Sequence, residues 1–313
     1  MPRAGPVTPG AVAAVDDVGP VRRWHRRTRR AHAPGPTIGS VVIPAHNEAR
    51  VIGRGLDRLF DGLGTGVEVI VVCNGCTDAT ADLVRAAGHH LTVIELDAAS
   101  KAEALRAADG FATGFPRVYL DADVVVSGAA IHALLDHLSR PGALAARPPI
   151  AYDTSSSSRV VRRFYRARAE IPAVMGSLWG AGMYALSAEG RGRFDQFPLL
   201  VADDLFVDRL FRMDEIEIVD TAPVVVVASA TVSGLLATFR RTFRGNRAIR
   251  EVATTDRPGT RATVRDLVRF ARRGPSEAVD ASVYAVVVTW ARALAWRHPQ
   301  TSPVWERDET SRQ

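Results

Sequence analysis

The sequence predicts an α/β protein with a mostly parallel central sheet, helices on both faces and a C-terminal helical extension. Three observations carry that expectation. Apolar strand-like runs alternate with helix-period segments from residue 38 to residue 123. The run Val67–Cys73 is apolar and mostly β-branched apart from Glu68, close to what a strand buried on both faces requires. Polar clusters follow three of the apolar runs, at 44–48, 73–78 and 121–123, and ligands of parallel sheets bind beyond the carboxyl ends of the strands.

The elements follow in order. Ile38–Ile43 reads as a strand ending at Pro44, and 50–63 carries apolar residues at helical spacing (Val51, Ile52, Leu56, Leu59, Phe60, Leu63). Residues 78–87 form a helix opened by Thr77 or Asp78 as its cap. Leu91–Leu96 is a strand, Lys101–Phe111 a helix, and Arg117–Leu120 a strand that runs into Asp121-Ala122-Asp123. Such alternation builds βαβ units. Further on, 144–152 reads as one strand, 159–170 as a basic helix, and 176–187 as a glycine-rich loop and strand. A helix at 203–213, a strand at 224–228 and a long arginine-studded helix at 233–252 come next. After a linker at 253–262, helices are expected near 263–273 and 276–297. The domain division is therefore 1–36 as a disordered basic arm, 37–252 as the catalytic-type domain, and 253–313 as the helical extension.

Composition narrows the function classes. The chain has 313 residues, 47% of them hydrophobic, enough to bury one large core. Its net charge of +6 favours an anionic partner such as a phosphate, a nucleic acid or an acidic lipid. Two cysteines, Cys73 and Cys76, make no secreted disulfide framework. No signal-peptide core is visible in the arm, and the helix at 276–297, broken by Asp280 and Arg292, reads as too interrupted to span a bilayer and as docked on the domain. The expected location is cytoplasmic, dissolved or peripheral on the inner face of the membrane. The cationic run 22–30 reads first as a solvated tail, with a membrane-surface or anion-docking arm anchored by Trp24 as the alternative.

Asp121 and Asp123 stand one residue apart directly after an apolar strand. Two such carboxylates cannot both be buried unpaired, and at a strand end both can face one hard divalent cation, Mg²⁺ or Mn²⁺, leaving positions open for phosphate oxygens. The alternative is a pair of exposed turn carboxylates. Lys101 is the sole lysine among forty Lys and Arg residues, either a chance survivor of an arginine-rich composition or a compact ammonium where the planar arginine fork does not fit. Asp203-Asp204 opens a helix, where the dipole and free N–H groups favour ionised carboxylates. Arg240, Arg241 and Arg244 form a cationic stripe suited to phosphate, or a solvated helix face.

Taken together these motifs resemble family 2 glycosyltransferases, which have the GT-A fold. The resemblance rests on Val41-Val42-Ile43-Pro44-Ala45-His46-Asn47-Glu48, on the strand and turn 71–80, on Ser100–Leu105, on Val118–Asp123 and on Val201–Leu210. It spans roughly residues 38–250. It implies a nucleotide-sugar donor, UDP- or GDP-linked, and no nucleic-acid partner. It places Pro44, Ala45, Asn47 and Glu48 around the nucleoside and Lys101 beside the nucleotide. Asp121 and Asp123 face the ribose and the metal-bound diphosphate, and Arg240, Arg241 and Arg244 close over that diphosphate. The implied reaction is an inverting transfer in which one carboxylate takes the acceptor hydroxyl's proton. Asp204 aligns with that base, and Asp203 stands where a glutamate usually precedes it.

The pattern is broken at Cys73-Asn74, where most relatives carry two aspartates. Asn74 keeps a donor and an acceptor for the base, and the choice between uracil and guanine is left open. Cys73-Asn74-Gly75-Cys76 also has redox or zinc spacing, but no further cysteine completes a zinc site, and buried turn thiols are the favoured account. Competing functions are a nucleotidyltransferase and a catalytically silent sugar-nucleotide binder or membrane-recruited scaffold. The acceptor is open, with a lean toward a lipid-linked or envelope-glycan molecule.

Overall fold

The computed structural model describes residues 37–199, 202–249 and 260–297; the basic arm, Trp24 included, lies outside them. Strand β1 (Gly39–Ala45) is followed by helix α1 (Ile52–Phe60), β2 (Val67–Asn74), α2 (Thr80–Ala86), β3 (Thr92–Leu96), α3 (Lys101–Phe111) and β4 (Arg117–Leu120). These match the expected elements closely, because each strand is predominantly apolar and each helix buries one apolar face. Ser100 caps α3 by accepting from Glu103 N, which fixes where the helix that carries Lys101 begins.

After β4 comes a helix the sequence reading passed over, α4 (Gly128–Leu138). Ser127 caps it, and Ile131, Leu134, Leu135 and Leu138 are buried along one face. The strand expected at 144–152 is two strands, β5 (Ala145–Arg147) and β6 (Ile150–Asp153). Pro148 and Pro149 lie between them; proline lacks the N–H that a continuing ladder needs, and the halves join different sheets. The chain continues through α5 (Arg159–Ala169), α6 (Pro172–Met175), β7 (Met183–Leu186), α7 (Ala188–Arg191), α8 (Asp203–Asp208), β8 (Ile216–Ile218), β9 (Val224–Val227), α9 (Val232–Ile249), α10 (Thr260–Ala271) and α11 (Pro275–Arg297). Helix α8 stops well short of Met213, its expected end, and a 3₁₀ turn at Met213–Glu215 follows.

The main sheet has seven strands in the order β3-β2-β1-β4-β7-β5-β8. Pairs β3–β2, β2–β1, β1–β4 and β5–β8 are parallel, and β7 runs antiparallel to β4 and β5. Strands β6 and β9 form a separate parallel pair. Side chains alternate between faces as the pleat dictates. Val41, Ile43, Val69 and Val71 pack with α1, α2 and α4, through Leu56, Val84 and Leu134 among others. Val42, Ile70, Val72 and Ile94 pack on the opposite face with Leu105 and Ala108 of α3 and with Phe206 of α8. Both faces are covered, and the binding edge is left to the loops.

A third apolar cluster joins α5, α9, α10 and α11 through Phe164, Leu235, Phe270, Tyr284 and Val287. Helix α11 is therefore docked, as expected. Its composition corrects the expectation in one respect. Pro275–Trp296 has a mean hydropathy of 1.3 in its best window and is long and apolar enough to cross a membrane by length and composition. In this fold one face packs on α5 and α9, while Val286, Trp290 and Trp296 point outward.

Candidate active site

Strand order brings the chemistry to one edge. Strands β1 and β4 are adjacent, so Pro44 near the end of β1 and Asp121 just past β4 sit side by side. Pro44, Lys101, Asp121, Gly182, Asp203 and Asp204 line one cleft. Lys101, in the first turn of α3, reaches across it. Its Nζ lies 2.5 Å from Asp121 Oδ1 and 2.7 Å from Asp203 Oδ1. Burial opposes the ammonium's charge, but Asp121, Asp203 and Asp204 more than offset that and hold it protonated. The expected place beside the nucleotide thus becomes a bridge between two motifs 82 residues apart in sequence, Asp121 and Asp203. Nothing in the local sequence announces that bridge.

Asp121 sits in a tight turn. Its N–H donates to Gly182 O and its own carbonyl accepts from Val124 N. Gly182 has φ +66°, and a Cβ there would stand 2.5 Å from Val124 Cγ2, so only glycine lets β7 approach the turn. Burial pushes the Asp121 carboxyl up to about 7, against the pull of Lys101 and with help from Asp203 and Asp123. Asp123 is exposed and is near enough to raise Asp121 electrostatically.

Asp203 and Asp204 open α8 and divide the work between them. Asp203 is 4% exposed; it pairs with Lys101 and accepts from the Tyr184 hydroxyl at 3.0 Å. Tyr184 stacks on Tyr119 with centroids 5.0 Å apart, and both rings help line the cleft. Asp204 is half-buried. The Gly180 N–H donates to its Oδ2 at 3.0 Å, and its own helix's Leu205 N–H to Oδ1 at 2.7 Å. Burial and the neighbouring Asp203 raise its carboxyl above the ordinary range, and Lys101 and the two N–H groups limit the rise.

The residues expected around the nucleoside have several different settings. Pro44 lines the cleft, whereas Ala45 is fully buried in β1. Asn47 has φ +54°, a left-handed conformation that asparagine tolerates. Its Oδ1 accepts from Thr77 N at 2.6 Å and from Asp78 N at 3.3 Å, tying the β1 loop to the β2 loop. Glu48 is 6% exposed, and its N–H donates to Thr80 Oγ1 at 2.7 Å. Asn74 differs from expectation: its side chain is completely buried, and Nδ2 donates to Ala45 O at 2.9 Å. Its amide braces β1 rather than facing an open pocket.

Arg240 on α9 is half-buried, and the side chains of Arg241 and Arg244 lie outside the described residues. The two cysteines are free. Cys73 is buried, and Cys76 Sγ accepts from Asn47 N at 3.4 Å. Of the expected buried turn thiols, Cys73 is buried but belongs to β2, and Cys76 is in the turn but only half-buried.

Among the described residues no group of three or more His, Cys, Asp or Glu side chains is arranged to hold a metal ion. Asp121 Oδ1 accepts from Lys101. Of Asp121 and Asp123, only Asp121 lines the cleft, and Asp123 stands two residues on at the surface. Their carboxylates are the hard oxygen donors that Mg²⁺ or Mn²⁺ takes when phosphate and water complete the shell.

A mostly parallel sheet with one antiparallel strand, and carboxylates gathered at the carboxyl edge, is the arrangement of the GT-A fold. The family follows from sequence: residues 40–182 match the model described as glycosyl transferase family 2. The matched segment belongs to that family, and the chain is a glycosyltransferase. A mannosyltransferase from Pyrobaculum calidifontis, solved in complex with GDP-Man and Mn²⁺, shares the fold at a TM-score of 0.54 and 22% identity, with 88% of each chain covered. Glucosyl-3-phosphoglycerate synthase from Mycobacterium tuberculosis, in complex with Mn²⁺, UDP and glucosyl-3-phosphoglycerate, aligns at a TM-score of 0.43 and 25% identity, over 63% of this chain and 76% of that one. In another complex, with Mg²⁺ and UDP, the same synthase aligns at 0.47 and 22%, over 70% and 85%. No curated protein matches the chain in sequence.

Proposed function

We propose that the chain transfers a sugar, with inversion, from a UDP- or GDP-linked donor to an acceptor hydroxyl, with Asp204 as general base. The observation that carries this reading is the shared cleft of Asp121, Lys101 and Asp204. Asp121 and Asp123 would hold a divalent cation, Mg²⁺ or Mn²⁺, in keeping with the Mn²⁺ complex of the similarly folded mannosyltransferase. The bound ion supplies charge neutralisation for the departing diphosphate. Lys101 holds Asp121 in place and pulls it toward its ionised form while adding positive charge to the same edge.

Asp204 carries the proton transfer. Its carboxylate is oriented by the Gly180 and Leu205 N–H groups. Its raised affinity for a proton suits a group that must accept one from a hydroxyl as that oxygen attacks the anomeric carbon. Two fixed N–H donors leave the carboxylate little rotational freedom, so the proton is received at a defined place. Asp203 takes no part in that step; its buried oxygens are committed to Lys101 and Tyr184. Pro44 and the Tyr119–Tyr184 stack supply apolar wall to the donor cleft.

The test is a thermal-shift panel of UDP-, GDP- and TDP-sugars with and without Mn²⁺. One nucleotide class is expected to stabilise the protein, and more so with metal. Absence of any metal-dependent shift across the panel would refute the donor assignment. Asp204→Asn is expected to keep that shift and to lose transfer.

A further inference from the structure

Three arginines are buried in the described structure: Arg117, Arg147 and Arg168. Two are accounted for. Arg117 pairs with Asp109. Arg147 gives its fork to the carbonyls of Ser177, Pro148 and Met175. Arg168, on α5, is 5% exposed, yet among the described residues it has no carboxylate partner. Its Nε donates to the Tyr152 hydroxyl at 3.0 Å, and the Tyr284 hydroxyl is a second neutral contact. The rest of its surroundings are ring faces: Trp179 and Phe239, each 5.1 Å from the guanidinium carbon, and Tyr152 at 5.9 Å.

Taking a cation out of water without a counter-charge is costly, and ring faces return only part of that cost. An aromatic box around an arginine whose terminal nitrogens have no carboxylate fits a site that an anion completes. Its location says which anion. A Cβ built on Gly180 would stand 3.6 Å from Arg168 Nη2, and the N–H of the same Gly180 donates to Asp204 Oδ2. The guanidinium and the carboxylate therefore flank one residue, which has φ +86°. The donor cleft, lined by Lys101 and Asp121, also reaches Asp204.

We propose that Arg168 binds an anionic group of the acceptor, a phosphate monoester, and so sets the acceptor hydroxyl against Asp204. The proposal rests on the reading of Asp204 as base. A planar fork matches phosphate oxygens two at a time, and stacking on Trp179 holds the plane fixed. Tyr284 brings α11 into the same site, so the helical extension becomes part of the acceptor wall. The phosphate can come from a soluble ester or from a lipid headgroup, and the chemistry at Arg168 is the same for both.

The experiment uses the full chain saturated with Mn²⁺ and the nucleoside diphosphate that stabilises it, so that the donor site is filled. Inorganic phosphate is then titrated calorimetrically against wild type, Arg168→Met and Arg168→Lys. Wild type is expected to take up phosphate beyond the filled donor site. Arg168→Met should lose at least about tenfold in that affinity, the scale of one lost charge-assisted contact, and Arg168→Lys should retain part of it. Unchanged nucleotide affinity in the variants confirms that they are folded. A parallel arm measures sedimentation with phosphatidylcholine vesicles with and without phosphatidic acid. Arg168-dependent binding to the phosphatidic acid vesicles supports the proposal with a lipid source, and phosphate binding alone supports it with a soluble source. No phosphate uptake by wild type, or equal uptake by wild type and Arg168→Met, overturns it. If the nucleoside diphosphates fail to bind at all, the donor reading fails instead, and the phosphate titration on the unloaded chain still decides for or against Arg168. Should Arg168→Met not fold, Arg168→Lys against wild type decides: undiminished phosphate affinity together with no preference for the phosphatidic acid vesicles overturns the proposal.

Discussion

Lys101 Nζ lies 2.7 Å from Asp203 Oδ1, and that ion pair fastens the start of α3 to the start of α8. Asp203 is almost wholly inside the protein, and the lysine is its counter-charge. Lys101→Met removes the counter-charge and leaves a buried carboxylate. The expected loss is about 3–5 kcal/mol, the usual scale for breaking one side of a buried pair. Urea unfolding measures it. Lys101→Arg should recover only part, because the guanidinium fork cannot occupy the compact position between Asp121 and Asp203. A Lys101→Met protein as stable as wild type would show that the pair is idle.

Gly182 tests the approach of β7 to the Asp121 turn. Gly182→Ala places a methyl against Val124 Cγ2 in a backbone region unfavourable to alanine. The strain alone is about 1–3 kcal/mol, and Asp121 must shift with the turn, since its N–H bonds to Gly182 O. A lower melting temperature and a weaker Mn²⁺-dependent nucleotide shift are expected together. A fall in stability with undiminished metal dependence would separate Gly182 from the donor site.

Much of this was legible in the sequence, for a physical reason. Strands β1 to β4 and their helices are local: each is set by an apolar run of the right period, and α3 and β4 have the expected bounds. The Asp121 and Asp204 motifs were visible because they follow an apolar strand and open a helix. What was not legible depended on tertiary placement. Lys101 could be singled out by its rarity, but its span from Asp121 to Asp203 required the fold. Asn74 looked available to a ligand because asparagine offers both donor and acceptor; the β1 carbonyl that claims it lies 29 residues away. The split of β5 from β6 was written in Pro148-Pro149 and was overridden by the apolar residues on either side. Helix α4 was marked by Ser127 and its apolar face, a local signal passed over beside the more conspicuous Asp121–Asp123.

Asp204→Asn separates chemistry from binding. The amide keeps nearly the shape of the carboxylate but cannot take a proton. Donor affinity should stay within about twofold while kcat falls by ~10²–10⁴, the range for loss of a general base. The pH profile adds a sign. Burial and Asp203 raise the Asp204 carboxyl, and the base acts only when ionised. The wild-type rate should therefore climb as pH rises through a value above the ordinary carboxylate range of about 4. The residual activity of Asp204→Asn should lack that limb. A variant with full kcat and an unchanged profile would assign the base elsewhere.

Asp280 tests whether α11 is held by charge as well as by apolar contact. It is 3% exposed, and it accepts from Arg163 at 2.8 Å and from Arg166 at 2.8 and 3.0 Å. Burial pushes its carboxyl up, but the hydrogen bonds from Arg166 and Arg163 outweigh that and hold it below its usual value. A lowered carboxyl binds its proton less readily folded than unfolded. Its stabilisation is therefore complete above the ordinary carboxylate pKa and drains away as pH falls toward the lower folded value. Both arginines are partly exposed, so solvent screening limits the gain to about 1–2 kcal/mol. Asp280→Asn should lower stability by that amount at neutral pH and flatten the acid limb of the stability curve. Hydrogen exchange should quicken along α11, where Tyr284 and Val287 pack against α5, before it quickens in β1 or β2. Uniform quickening across the sheet would mean that α11 and the sheet open as one unit, and that the Asp280 clamp does not act locally.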